Sequence, residues 1–232
     1  MAKTIVVVGY GPGVSTSVAE KFGAEGYAVA LVARTEAKLA AGVEALKAKG
    51  IDAAAFPADA GDPASIRGAI AAARAALGPI GVIHWNAYSG GAVQDLLATD
   101  PAGLLPAVFD VAIVGLVSAV QEALPDLKAA GDGAVLVTNG AFGEINPMMD
   151  AFALMLREMG VPLGNAAKAK LVGLLAARLK DEGVYVGEVT IAGVVRGTGP
   201  ENGAMPTLDP ADIAGQFWTL FKGRDEIRAR AG

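Results

Sequence analysis

Short, nearly uncharged runs rich in Val, Ile, Leu and Ala recur along this chain, and longer stretches with apolar residues three and four apart lie between them. The short runs, residues 5–8, 28–33, 51–56, 81–85, 134–138, 184–191 and a brief one at 226–230, read as strands. Most lack the polar alternation of a half-exposed strand, so they are expected to be buried on both faces. The longer stretches read as helices, and their ends carry the usual signals. Gly26 closes the first, which begins near Ser15, while Thr35 caps residues 36–49 and Gly50 ends them. Asp62-Pro63 and Asp209-Pro210 each start a helix as a cap followed by an N1 proline, the former running to Leu77. Residues 104–130 are expected to form a long helix, bent or preceded by a turn at Pro106, and residues 163–180 another, ended by Gly183. Segments 89–101, 140–162 and 193–206 read as irregular, the second with a helical patch over 148–159.

Seven strands alternating with helices predict the α/β class, with a doubly wound, mostly parallel seven-stranded sheet and helices on both faces. No repeat or linker divides residues 1–232, so a single domain is expected. Ligands of such sheets bind outside the carboxyl ends of the strands, at the switch point beside the first strand. Five segments fall there, 9–15, 33–35, 58–60, 86–88 and 138–143.

Composition narrows the chemistry. Of 232 residues 53% are hydrophobic and 19% charged, enough apolar material for a large core. A formal net charge of -5 without a Lys/Arg cluster argues against nucleic acid as a partner. Zero cysteines exclude a thiolate metal site and cysteine catalysis, and one histidine, His84, makes a Ser-His triad or a histidine metal site hard to assemble. His84 and Trp85 lie inside a buried strand and read as core residues. The apolar stretch 104–124 is broken by Pro106 and Asp110 and reads as a core helix rather than a membrane span. With no leader evident before the first strand, the expected location is cytoplasmic.

The first strand ends at Gly9-Tyr10-Gly11-Pro12-Gly13-Val14-Ser15, where a helix begins. Glycines admit backbone N–H groups close to a pyrophosphate, and the helix N-terminus adds partial positive charge, so this turn is a candidate phosphate cradle. Ser15 would offer a hydroxyl near the phosphates. Arg34 follows the second strand, where an acidic residue would hold an adenine ribose 2′-OH and an arginine would accept a 2′-phosphate. That pattern favours NADP(H) over NAD(H), although Glu36 stands close by.

The chain resembles the short-chain dehydrogenase/reductase family along nearly its whole length. Gly9-x-x-x-Gly13-x-Ser15 is similar to the family's glycine loop with serine for the last glycine. Asn86-Ala87-Tyr88 resembles its Asn-Ala-Gly motif, Lys168 lies on a segment similar to the helix of its essential lysine, and Ile191-Ala192-Gly193 stands for its Pro-Gly turn. The resemblance implies a Rossmann fold, a dinucleotide cofactor, a small carbonyl or alcohol substrate and a homodimer or homotetramer packed through the long helices. It places an adenine contact at Asp59, which reads equally well as a turn residue, and a ribose contact at Lys168. Cofactor contacts are expected from Gly9, Tyr10, Gly11, Gly13, Val14, Arg34, Thr35, Asp59, Ala60, Asn86, Ala87, Tyr88, Lys168, Val195 and Thr198.

The family's catalytic groups are missing. Its tyrosine, four residues before the lysine, falls at Gly164; its serine falls at Gly140 and its helix asparagine at Ala112. None of the four tyrosines (Tyr10, Tyr27, Tyr88, Tyr185) has a lysine four residues later. A positioned acid contributes about 10²–10⁴ in rate, so reduced or altered catalysis is expected, with no catalytic or metal-ligating residue assigned. Tyr88 and Glu144 are the least improbable replacement proton donors, against ordinary roles as pocket wall and solvated loop charge; Asn146 reads as a turn residue. A catalytically silent dinucleotide-binding sensor or partner subunit is the alternative. Met148, Met149, Phe152, Leu156 and Met159 read as core or subunit interface, with a substrate lid as the sharper reading.

Overall fold

The computed structural model describes residues 3–89, 93–199 and 206–232; parts of the expected loops 89–101 and 193–206 lie outside them. In chain order the main sheet contains β1 (Thr4–Val8), β2 (Ala28–Ala33), β3 (Ala53–Pro57), β4 (Ile80–Trp85), β5 (Ala134–Gly140), β6 (Tyr185–Ile191) and, last, β9 (Arg228–Ala231). Their spatial order is β3-β2-β1-β4-β5-β6-β9, and every pairing is parallel, including the final strand. The seven-stranded doubly wound sheet expected from the residue pattern is present, wholly rather than mostly parallel.

Period-two burial sorts each strand between two cores. Ile5, Val7, Val29, Leu31 and Leu136 face α1 (Val14–Ala24), α2 (Glu36–Ala48) and α8 (Pro210–Gly223). Val6, Val8, Ala30, Val32, Val135 and Val137 face α3 (Pro63–Leu77), α5 (Leu116–Ala129) and α7 (Gly160–Leu179). Phe22, Tyr27, Trp218 and Phe221 lock α1 to α8 through edge-on and tilted ring contacts.

Several expectations need correction. The long helix starts at Pro101, capped by the Asp100 carboxylate, as α4 (Pro101–Phe109), with Pro106 inside it. Its irregularity is a π-helical segment, Asp110–Gly115, which leads into α5. There Gly115 presses on the loop after β3: a Cβ at Gly115 would lie 1.8 Å from the Ala60 carbonyl oxygen. Such one-turn π insertions commonly accompany functional sites. The α5 half packs on the sheet as a core helix through Leu116, Ala119, Ala123 and Leu127.

The expected irregular segment 140–162 holds α6 (Pro147–Leu156) and the first turn of α7. The Asn146 side chain accepts the Met148 amide at 2.9 Å and Pro147 sits at N1, so Asn146 is a helix cap rather than a plain turn residue. Strand β3 begins two residues late because Ile51 is drawn down against Gly23 of α1. Thr35 precedes α2, but its side chain makes no capping hydrogen bond. A small second sheet, β7 (Val194–Val195) with β8 (Thr207–Leu208), adds an element absent from the sequence reading.

Replacing a helical glycine by alanine ordinarily stabilises. At Gly115 the new methyl would meet backbone, so Gly115→Ala should instead lower the melting temperature by about 5–10 °C, as overpacking against an immobile partner costs 1–3 kcal/mol or more. A melting temperature equal to or above that of the parent would show that the Ala60 loop yields freely.

Candidate functional site

The carboxyl ends of the strands open into one cleft of about 1090 Å³, centred where β1 and β4 diverge. Every expected cofactor residue lines it except Gly13. Gly13 has φ +87°, and a Cβ there would lie 2.5 Å from Thr198 Cγ2, so its part is to let the loop after β7 close on the cradle. Gly9, with φ +82°, lies against Ala87: a Cβ would come within 2.5 Å of the Ala87 Cα. Asn86 ties the same two loops, its amide donating to Val8 O at 2.8 Å and its side chain to Gly9 O at 3.2 Å.

The cradle differs from expectation in one respect. Ser15 is fully buried, and its Oγ accepts from the Gly11 amide at 2.9 Å and donates to the Gly11 carbonyl at 2.8 Å. Its hydroxyl therefore stiffens the loop and is not offered to a phosphate, while the Gly11 N–H is taken. The anion-binding capacity rests on the first turn of α1, which contains no acidic residue and has no side-chain cap.

Beyond β2, Arg34, Thr35 and Lys38 line the cleft, whereas Glu36 does not. Two cations therefore border this end, with Asp59 from the neighbouring strand end as the carboxylate beside them. Thr35, not engaged as a cap, leaves its hydroxyl at the same wall. Asp59 has both of its weighed roles available: Oδ1 accepts the Gly61 amide at 2.9 Å in a tight turn, and the residue lines the cleft.

At the other end α7 presents Val161, Asn165 and Lys168, spaced by four and three residues and so on one helical face. Lys168 is 2% exposed, and burial draws its pKa down to about 8, the charge of Glu188 partly opposing the shift. Glu188 is itself buried in β6, where Oε1 accepts Asn139 Nδ2 at 3.0 Å and Thr190 Oγ1 at 3.1 Å, and Arg228 approaches Oε2 at 3.7 Å. Asn139 also donates to the Asn165 backbone carbonyl at 3.0 Å, so a polar network under the cleft floor holds α7 against β5 and β6. A buried ammonium of that pKa can hold or release a proton near neutrality.

The positions expected to have lost catalytic groups do converge. A Cβ at Gly164 would lie 3.6 Å from Ala112 Cβ, and a Cβ at Gly140 would lie 2.6 Å from Asn165 Nδ2. Of the replacement donors weighed, Tyr88 lines the cleft but is 72% exposed, as a wall residue would be. Glu144 is bound to Arg230 in an ion pair and does not line the cleft. His84 is a core residue as expected, with Nε2 3.0 Å from Thr138 Oγ1 and its ring edge-on to Phe217.

The apolar set on and after α6 divides. Met148 and Leu156 are exposed and belong to no core, Met149 lines the cleft, and Phe152 stacks on Phe142, which also lines it. Met159 accepts the Leu96 amide on its sulfur at 3.2 Å. Lys38, Val161 and Asn165 are cleft residues that sequence reasoning missed, whereas Phe142 lies in the expected crevice segment 138–143. Lys38 follows Arg34 by four residues, a readable basic pair; Asn165 carried no signal, because nothing in the chain announces which face of α7 turns inward.

Comparison with known proteins agrees with this geometry. Residues 3–152 match the family model described as short chain dehydrogenase. A 3-oxoacyl-[acyl-carrier-protein] reductase of Staphylococcus aureus is 28% identical over 194 residues, covering 82% of this chain and 73% of the relative. L-sorbose reductase from Gluconobacter frateurii, solved with NADPH and L-sorbose, superposes with a TM-score of 0.85 at 17% identity, covering 99% of this chain and 95% of that one. A metagenomic short-chain oxidoreductase solved with NADP superposes at 0.79 with 22% identity, covering 99% and 96%.

The single histidine allows a clean pH test. Burial holds the His84 pKa down to about 3 against an ordinary value of 6.5. Between those values the unfolded chain binds the extra proton, so stability falls as pH falls. From pH 6 to 5 the loss should approach about 1.4 kcal/mol per unit, and His84→Gln should flatten that stretch in denaturant titrations. An unchanged slope would mean that His84 is protonated in the folded protein.

Proposed function

The chain belongs to the short-chain dehydrogenase family, and from that premise we propose that it binds NADP(H) and acts on a small carbonyl or alcohol by a catalytic route altered from that of its relatives. The observation carrying this reading is the cleft at the β1/β4 switch point, with an acid-free helix N-terminus at its centre, Arg34 and Lys38 at one end and the buried Lys168 at the other. These residues fit a dinucleotide. The first turn of α1 would hold the pyrophosphate, Gly11, where a Cβ would meet nothing within 4 Å, leaves the open surface beside it, and Arg34 with Lys38 would pair with a 2′-phosphate. Asp59 and Ala60 would flank the adenine, and Lys168 would donate to the nicotinamide ribose. Val195 and Thr198 would close over the phosphates.

The dinucleotide supplies or accepts a hydride. This chain's own contribution is to orient it, exclude water with the apolar walls Phe142, Met149 and Val161, and hold a proton on the Lys168 amine. Gly164, Gly140 and Ala112 contribute no acid, so any turnover is expected to be slow beside that of tyrosine-bearing relatives. Val114, Leu163 and Leu174 are exposed on the π segment and α7, which supports assembly of copies through the long helices.

NADPH binding by fluorescence, run beside turnover on an aldehyde, a ketone, a quinone, a ketose and a 3-oxoacyl thioester, tests the reading. Binding with slow turnover supports it; binding without any turnover favours a silent dinucleotide-binding protein; absence of binding sinks both. Arg34→Asp should weaken NADPH roughly 50-fold and NADH by less than about threefold, since only the former loses a charge-assisted contact and gains a repulsion. Equal losses would show that Arg34 does not read the 2′-phosphate.

A further inference from the structure

Gly140 and Asn165 compete for one volume. A Cβ built on Gly140 would sit 2.6 Å from Asn165 Nδ2, and a Cβ on Gly143 would sit 2.7 Å from Asn165 Cβ. Gly140 thus leaves room for the Asn165 carboxamide, while Gly143, where a Cβ would lie 2.5 Å from Ala166 N, lets the α7 backbone close on the turn after β5. Backbone conformation does not require glycine at either position, since neither has positive φ. What they supply is room for Asn165 and for the α7 backbone.

Asn165 is 8% exposed and lines the cleft one turn before Lys168. Its backbone carbonyl is anchored by Asn139, which Glu188 anchors in turn. The helix face it occupies is therefore held firmly. Its carboxamide makes no hydrogen bond to the described residues and keeps contact with solvent in the cleft, where a ligand can take the place of that water. Apolar Phe142, Met149 and Val161 line the same cleft, so the amide is set among apolar walls as well as the Lys168 amine.

We propose that the Asn165 carboxamide is the group that binds the substrate's carbonyl oxygen, donating through Nδ2 from the space that a side chain at position 140 would otherwise fill. The proposal rests on the reading of the cleft as a site for a dinucleotide and a carbonyl compound, and it makes Asn165 a substrate-binding residue without transferring a proton. It also explains why Gly140 and Asn165 occur together. A side chain at position 140 and the Asn165 carboxamide in its present rotamer would occupy the same volume.

The test compares cyclohexanone with methylenecyclohexane, rings of one shape of which only the ketone accepts a hydrogen bond. Binding of each is measured calorimetrically with and without saturating NADP⁺, which cannot reduce the ketone. Asn165→Ala should weaken cyclohexanone about fivefold and leave methylenecyclohexane and NADP⁺ unchanged, the factor expected for one neutral hydrogen bond. Gly140→Ser, which keeps Asn165 but displaces its amide, should lose the ketone to a similar extent. The double variant Asn165→Ala/Gly140→Ser, with space for the hydroxyl, should recover it. Unchanged ketone affinity in Asn165→Ala, or no binding of cyclohexanone to the parent, overturns the proposal. Loss of NADP⁺ binding by the parent overturns the dinucleotide reading instead, and the ketone contrast measured without NADP⁺ still decides the role of Asn165.

Discussion

The backbone of Gly9 lies so close to that of Ala87 that one added methyl group would collide with it. This approach, at the point where β1 and β4 part, sets the shape of what lies above the sheet. Parallel strands direct all their carboxyl ends to one side, and the loops leaving β1 and β4 turn to opposite faces of the sheet. The Asn86 side chain, bonded to the Gly9 carbonyl, fixes the gap between the loops. The α1 N-terminus, the Arg34–Lys38 border and the α7 face then take positions around it that none could hold alone.

A second constraint runs beneath the floor. Two opposite charges, Lys168 and Glu188, are almost wholly removed from water. No direct ion pair joins them among the described residues; the Glu188 charge acts on Lys168 at a distance and offsets only part of its desolvation. Here Asn139, Thr190 and Arg228 share the carboxylate between them. The network joins β5, β6, α7 and the last strand, so the polarity needed in the cleft also aligns the elements that form it.

The glycine at the tyrosine position and the alanine at the asparagine position face each other across α7 and the π segment. Their proximity brings two positions at which the resemblance expects catalytic side chains into one region. Ser15 illustrates the same economy at the other end of the cleft. A serine in a glycine's place has turned inward to both polar groups of Gly11, exchanging loop flexibility for two hydrogen bonds.

Strand positions, the sheet's class and the glycine cradle were legible in the sequence because they rest on local physics. Val- and Ile-rich runs bury on both faces wherever they pair, and glycines with positive φ reveal themselves at strand ends. Arg34, Asn86 and Lys168 were legible too, being adjacent to elements whose ends the pattern determines. The π segment was not, because it answers to the Ala60 carbonyl, distant in sequence. Helix α6 was legible as the helical patch over 148–159, and its Asn-Pro cap sets its start one residue earlier. Whether Ser15 faced a phosphate or its own loop, and whether Asn165 faced solvent or the cleft, depended on side-chain direction. Only the packing of α1 beneath its loop and of α7 against β5 decided those, since a hydroxyl or a carboxamide satisfies its hydrogen bonds with whichever partner the fold brings near.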